Sequence, residues 1–125
     1  CLVCHKIGVT GLEIGPDLTN IQTRFDKKVI LEDIINPAAG VAVGFEPYLI
    51  SLKNGAVIYG LLQSDGPVAT VMDTYGRQYI IEASQIEGRK QLNKMTIMPS
   101  PEYMPASKQD IADVVSFLLQ NNKKL

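Results

Sequence analysis

The first five residues, CLVCH, contain both cysteines and the only histidine of this 125-residue chain. Thiols and imidazole bind soft metal ions, and thiolates also form covalent bonds, so this cluster is the part of the sequence best suited to chemistry. Four chemistries use a C-x-x-C pair: zinc binding, thiol–disulfide exchange, a structural disulfide and covalent attachment of haem. The remaining residues have to distinguish among these four.

Three of the four chemistries find little support elsewhere in the chain. A structural zinc site takes four nitrogen or sulfur ligands, commonly in two paired halves, and this sequence has only one half. A thioredoxin-like dithiol normally follows a strand and begins a helix, but no strand precedes Cys1. A plain structural cysteine pair has no more support than the dithiol. All three stay open as minor alternatives.

C-x-x-C-H is the attachment signal of c-type haem. Residues three apart on a helical turn share one face, so the sulfurs of Cys1 and Cys4 could reach two vinyl groups on one porphyrin edge. His5 follows in position to bind the iron. The pentapeptide is only moderately specific, so this interpretation needs support from residues further along the chain.

A first candidate support is the segment IGPDL at residues 14–18. A haem-ligating imidazole needs an acceptor for its second ring nitrogen, which fixes the orientation of the ring. The carbonyl of Pro16 could be this acceptor. The alternative, to which we give equal weight, is that Gly15 and Pro16 only form a turn.

Three methionines before the last predicted helix are a second candidate support. Since His5 is the only histidine, a six-coordinate haem within one chain would take Met as its other axial ligand, with Lys or Tyr less suitable. Met95, Met98 and Met104 are available, although methionine more often fills a core. We expect that ordinary core role for Met72.

The overall composition excludes several other functions. The chain has 12 basic and 13 acidic residues and a formal net charge of −1, which argues against nucleic acid as a partner. No apolar run approaches the roughly 18–20 residues that span a bilayer, so we expect no membrane span. No signal peptide is present and the first residue is not Met. We therefore expect a processed protein or a piece of a longer one.

Two helices are predicted, one in each end region. Asp26 is a capping residue for a helix over 26–36, which Pro37 ends. Ser107 caps a second helix over 108–121. Its apolar stripe consists of Ile111, Val114, Val115 and Leu118, with Phe117 beside it.

The middle of the chain has the composition and turn signals of a β-sheet. We predict strands at residues 46–53, 56–63, 68–73 and 77–82, with a further short strand at 86–92. Asn54 and Gly55 predict a hairpin with a type I′ turn, which requires positive φ at both central residues.

As a set, the quoted motifs resemble class I cytochromes c. The segments that carry the resemblance are Cys1–Cys4–His5, GPDL at 15–18 and MPSPEYMPASKQDIADVVSFL at 98–118. The resemblance is closer to one branch of this family, a haem-binding branch known from Planctomycetes, Verrucomicrobia and Bacteroidetes, which has a β-rich insertion. The segment that resembles this branch is LEDIINPAAGVAVGFEPYLISLKNGAVIYGLL. A helix normally enters the attachment motif in class I cytochromes, and this chain lacks it.

The resemblance implies an α+β fold: a helical class I cytochrome c fold with a small inserted antiparallel sheet of three to five strands. It implies one cytochrome c domain over 1–125. Residues 1–45 and 93–125 would form the haem-binding helical part, and 46–92 the β-rich insertion.

The resemblance also implies roles for individual residues. Cys1 and Cys4 would form the thioether bonds to haem c, His5 would be the proximal iron ligand, and Pro16 would orient it. The family's Met-Pro pair falls on Met98 and Pro99, so Met98 is the preferred second iron ligand and Met104 the alternative.

Further residues are expected to surround the haem. Those expected to bury it are Leu18, Ile21, Phe25, Val29, Ile30, Ile97, Tyr103 and Leu118. Those considered for contact with the propionates are Arg24, Tyr48 and Tyr103.

The function implied by the resemblance is electron transfer through one haem with His/Met ligation. The chain would then be an electron carrier rather than an enzyme, periplasmic or secreted, with a dehydrogenase or another cytochrome as its redox partner. Two alternatives belong to other classes. One is a haem-based sensor or weak peroxidase with an open distal site, and the other is an interaction domain without haem.

Overall fold

The computed structural model describes residues 1–120. They form two compact units, of which the first is built from two separate segments of the sequence. The first unit contains residues 1–40 and continues from Met98, and the second is Val41–Ile97. The sheet unit is therefore somewhat longer at both ends than the predicted insertion at 46–92.

The second unit is a five-stranded antiparallel sheet with the strand order β4-β3-β2-β1-β5. The strands are β1 (Pro47–Leu52), β2 (Val57–Ser64), β3 (Val68–Met72), β4 (Gln78–Glu82) and β5 (Ile86–Gln91). A 3-10 turn, Ala83–Gln85, connects β4 to β5, which returns to pair with β1. All five predicted strands are confirmed, with ends that differ by at most one residue.

One face of the sheet forms the core of this unit. Its buried residues are Ile50, Ala69, Val71, Ile81 and Ile86. Successive side chains of a strand point to opposite faces, and Leu61 and Met72, which pair across β2 and β3, are buried on the other face.

The turn between β1 and β2 differs from the prediction. Gly55 has a φ of 88°, but Asn54 does not have a positive φ, so the type I′ turn was wrong. The Leu52 amide bonds the Ala56 carbonyl across a three-residue loop. Only the last loop residue needs the left-handed region, and glycine occupies it.

The first unit contains both α-helices, α1 (Lys27–Ile35) and α2 (Lys108–Leu118). The Asp26 side chain accepts a hydrogen bond from the Val29 amide, so the predicted cap of α1 is confirmed. Ser107 and Asp110 form a capping box at the start of α2. The predicted end of this helix at residue 121 lies outside the described residues.

The two helices share a small apolar core. Its buried members are Ile7, Ile21, Ile30, Val115 and Leu118. Two 3-10 turns, Ile21–Thr23 and Pro101–Tyr103, precede the helices. No helix within residues 1–120 has the length and apolar character needed to cross a membrane.

The predicted fold class is wrong. The protein is a β-rich fold whose main element is the five-stranded antiparallel sheet, and its two α-helices have only 9 and 11 residues. It is not a helical class I cytochrome c fold with a small insertion. The reason lies partly in the N-terminal segment, where Gly8 and Gly11 have positive φ and Pro16 lacks an amide proton. These residues prevent a long helix there.

Candidate haem-attachment site

The first five residues form a single helical turn. The amides of Cys4 and His5 both donate to the Cys1 carbonyl, at 2.9 and 2.8 Å. Both cysteines are free thiols; Cys1 is exposed and Cys4 is half-buried. Because Cys1 and Cys4 are three residues apart on this turn, they lie on the same helical face, as the C-x-x-C pattern predicts.

The ring of His5 is oriented by a backbone carbonyl. His5 Nδ1 lies 2.7 Å from the Pro16 oxygen. A carbonyl can only accept a hydrogen bond, so Nδ1 carries the proton and Nε2 keeps its lone pair in the neutral ring. Burial is the main cause that lowers the pKa of His5, while the bond to Pro16 opposes this shift. The imidazole is therefore neutral, and able to ligate a metal through Nε2, at neutral pH.

The loop that supplies the Pro16 carbonyl is held against the motif by backbone bonds. The Gly15 amide donates to the Cys4 carbonyl at 2.6 Å, and the Leu18 amide donates to the Lys6 carbonyl at 2.9 Å. These bonds lie on both sides of Pro16 and fix the position of its carbonyl. The sequence thus folds back so that two segments eleven residues apart meet at one ring.

Polar side chains join the same two segments. Lys6 pairs with Glu13 at 2.8 Å, and the Thr19 hydroxyl accepts from the Gly8 amide at 2.9 Å. Thr19 also donates to Asp17 through its amide and its hydroxyl, which lowers the pKa of the Asp17 carboxyl. Asp17 thereby helps to hold the loop that follows Pro16.

Two glycines allow this close packing, and sequence reasoning treated them only as turn residues. A Cβ at Gly15 would lie 2.6 Å from His5 Cε1 and 2.8 Å from Nδ1, which is closer than real contacts allow. Gly11 has a φ of 97°, and a Cβ there would collide with the His5 carbonyl oxygen. The sequence signal was the glycine directly before Pro16, which marked a turn but not the ring beside it.

Half of the apolar residues predicted to surround a haem belong to the helical core. Ile21 and Ile30 are buried in the cluster that contains Val115 and Leu118, and Leu18 packs against it. These contacts give each of them a structural role within the first unit.

Arg24 and Phe25 lie at the surface instead. The Arg24 guanidinium donates to the Asp17 carbonyl at 2.9 Å and stacks 5.8 Å from the centre of the Phe25 ring. Phe25 is 42% exposed and Tyr103 is 80% exposed, so the protein itself buries neither. Ile97 is the last residue of the sheet unit rather than part of the first unit.

The candidate iron-ligating methionines fall in different places. Met98 and Met104 are partly buried and belong to the same unit as His5. Met95 is 47% exposed and belongs to the sheet unit. Met72 is 7% exposed and lies in β3, in the core role expected for it.

Apolar side chains are exposed around the cysteine turn. Leu2, Val3, Val9 and Leu12 are all exposed, with Val9 at 91%. The Leu12 amide bonds the Leu2 carbonyl, so these two residues are adjacent. A cavity of about 260 Å³ borders the same turn and is lined by Cys1, Leu2, Ile7, Thr10, Val114, Phe117 and Leu118.

The residues present fit a covalently attached haem. Two free thiols share one turn, His5 has a neutral Nε2, and Gly15 leaves no Cβ against its ring. A zinc site has no comparable support, since residues 1–120 contain no group of three or more His, Cys, Asp or Glu side chains placed to hold a metal ion. Comparison of the chain with protein-family models and with curated proteins found no match.

Proposed function

We propose that this chain binds one haem c covalently and carries single electrons. Cys1 and Cys4 would form the thioether bonds, and His5 Nε2 would ligate the iron. The observation that carries this proposal is the 2.7 Å bond from His5 Nδ1 to the Pro16 carbonyl. It selects the tautomer whose free nitrogen can bind a metal, which is the usual arrangement of a metal-ligating histidine.

We infer that Met98 is the second axial ligand, with Met104 as the alternative. Both thioethers belong to the same unit as His5, and neither side chain is fully buried in a core. The more exposed Met95 belongs to the other unit and is the weaker candidate. The Met98–Pro99 pair is also the position that the resemblance to c-type cytochromes favours.

When bound, the haem would supply the reversible one-electron chemistry of iron. His/Met ligation raises the reduction potential relative to two histidines and occupies both axial positions, which suits electron transfer rather than catalysis. The chain's own contribution is to hold the imidazole still: Pro16 fixes one ring nitrogen and Gly15 lets the loop pack against the ring. We therefore propose an electron carrier and not an enzyme.

The redox partner would dock at the exposed apolar residues around Cys1. Leu2, Val3, Val9 and Leu12 border the turn that would carry the haem edge. Electron-transfer encounters are small and transient, so a few apolar contacts are sufficient. We propose a dehydrogenase or another cytochrome as the partner. Because c-type haem is attached outside the bacterial cytoplasmic membrane, we also propose a periplasmic or secreted location.

The ligand assignment can be tested with three matched variants. The protein is produced together with a haem-maturation system, and Met98→Ala, Met104→Ala and Met95→Ala are compared with the unmodified chain. We expect the Met–iron charge-transfer band of the oxidised protein to disappear in Met98→Ala alone. Met95→Ala is the control, because that side chain is 47% exposed and lies in the sheet unit.

The other outcomes of this test each have a definite meaning. Loss of the band only in Met104→Ala would show that Met104, and not Met98, is the second axial ligand. A high-spin spectrum in the unmodified protein, with added carbon monoxide or cyanide binding readily, would contradict the carrier function and favour a sensor with an open site. Absence of a Soret band would contradict haem binding and favour an interaction domain.

A further inference from the structure

The sheet of the second unit has two edges, β4 and β5, and within residues 1–120 no strand pairs with the outer side of β4. The Asp73 amide bonds the Arg77 carbonyl, and the Ala83 amide bonds the Pro67 carbonyl. In an antiparallel ladder, hydrogen-bonded pairs recur at every second residue. The odd-numbered residues of this segment therefore bond β3. The amides and carbonyls of Gln78, Ile80 and Glu82 point away from the sheet.

The two edges differ in how well they are guarded against pairing. The strand β5 carries Glu87, Arg89 and Lys90, and its pairing with β1 contains a register shift. Charged residues and bulges of this kind discourage edge-to-edge association. The centre of strand β4 has no charged residue and no register shift, and Ile80 is 77% exposed there. An exposed apolar residue at the middle of an unprotected edge is a feature of strands that are able to pair with a strand of another chain.

The sequence of β4, QYIIE, is complementary to itself in an antiparallel arrangement. If a two-fold axis passes beside Ile80, that residue lies opposite Ile80 of a second copy. Gln78 of each copy then lies opposite Glu82 of the other. The Gln78 amide donates one N–H to Gln63 of its own chain at 2.8 Å, and its second N–H is left for the partner's carboxylate. The same arrangement brings all three outward-pointing residues into hydrogen-bonded pairs, which gives about six backbone bonds between the copies.

We propose that β4 is a self-association surface, and that two copies of this chain form a weak dimer through antiparallel pairing of their β4 strands. The two sheets would become one continuous ten-stranded sheet. The contact involves one five-residue strand from each copy, which is well below the area of a permanent interface. We therefore expect association only at high protein concentration. This inference is independent of haem binding.

The test uses sedimentation equilibrium of the full chain and of charge variants at Gln78. Gln78→Lys would place an ammonium opposite each Glu82 and should lower the dimer dissociation constant, whereas Gln78→Glu would place like charges there and should raise it. Each cross-strand pair contributes modestly and occurs twice, so we expect changes of roughly fivefold in opposite directions. Raising the salt concentration should reduce both changes.

A second pair of variants locates the contact. Ile80→Lys brings two ammonium groups together at the two-fold axis and should abolish the dimer. Val57→Lys is the matched control, because Val57 is also a β-branched residue, 60% exposed, but lies on β2. The unfolding midpoint of each variant is measured as well, so that loss of the dimer is not confused with loss of the fold.

The expected result is concentration-dependent dimerisation that Val57→Lys leaves unchanged and Ile80→Lys removes. Hydrogen exchange should show slower exchange at Gln78, Ile80 and Glu82 as the protein concentration rises. A chain that stays monomeric up to millimolar concentration would overturn the proposal. So would a dimer in which Gln78→Lys and Gln78→Glu shift the dissociation constant in the same direction, or one in which exchange slows elsewhere.

Discussion

Replacing Gly15 by alanine directly perturbs the packing that orients His5. The added Cβ would lie 2.6 Å from His5 Cε1, 2.8 Å from Nδ1 and 3.0 Å from Nε2. Gly15 does not have a positive φ, so the backbone itself would accept alanine. The collision with the ring is therefore the main new cost at this position.

The size of the effect follows from how far the ring must move. An ordinary contact requires Cε1 to retreat by roughly 0.8 Å, which would stretch the Pro16 bond beyond the range of a hydrogen bond. Overpacking costs about 1–3 kcal/mol, and a lost hydrogen bond costs about 0.5–1.5 kcal/mol. Because alanine lowers the conformational entropy of the unfolded chain, it also stabilises the folded state by about 0.4–1 kcal/mol. We expect the free energy of unfolding to fall by about 0.5–4 kcal/mol.

The assay is urea unfolding of Gly15→Ala beside the control Gly66→Ala. Gly66 has no neighbour within 4 Å of a built Cβ and no positive φ, so this alanine should be neutral or slightly stabilising. In haem-loaded protein, Gly15→Ala should also shift the reduction potential and weaken the Met–iron band, because the imidazole is tilted. Equal unfolding midpoints and equal spectra for the two variants would refute the role of Gly15.

Three further predictions concern stability. Ile50→Ala should lower the free energy of unfolding by about 2–5 kcal/mol in a urea titration, because Ile50 is fully buried in the sheet core; a loss below 1 kcal/mol would be inconsistent with that packing. Gly60→Ala should destabilise β2 and β3 and speed their hydrogen exchange, because its Cβ would collide with the Met72 carbonyl oxygen in the next strand; unchanged exchange would disprove the contact. Ser107→Ala should cost about 1 kcal/mol at neutral pH. Since the hydrogen bonds from Ser107 lower the pKa of Asp110, their contribution is present above the unfolded pKa and disappears as the pH falls through the lower folded pKa. The difference in thermal stability between the variant and the original chain should thus shrink at acid pH without vanishing, because the Asp110 amide still donates to the Ser107 hydroxyl there, and a constant difference would count against the capping box.

The individual helices and strands were predictable because their signals are local. Asp26 and Ser107 are good caps, and the alternating apolar residues of β1 to β5 match a half-buried sheet. The fold class was not predictable in the same way. It was inferred from the resemblance of short motifs at the chain ends, and motifs of this kind fix a few contacts without requiring long helices around them.

The candidate site was predictable where one residue's chemistry demanded another. A ligating histidine needs an acceptor, and Pro16 supplies it in the structure. Gly11 and Gly15 were not identified as part of the site, because their importance depends on which atoms lie beside them in three dimensions. The exposed positions of Phe25 and Tyr103 were missed for the same reason, since periodicity does not show which apolar residues a small core can cover.

The central claim is covalent haem attachment at Cys1 and Cys4, and one measurement tests it most directly. The protein is produced with a haem-maturation system, denatured, extracted with acidified acetone and examined as its pyridine haemochrome. We predict that the haem stays with the polypeptide and has the spectrum of two thioether bonds, and that Cys1→Ala or Cys4→Ala shifts this spectrum toward one bond. Complete extraction of the haem from the unmodified chain, or a protein without haem absorbance, would contradict the claim.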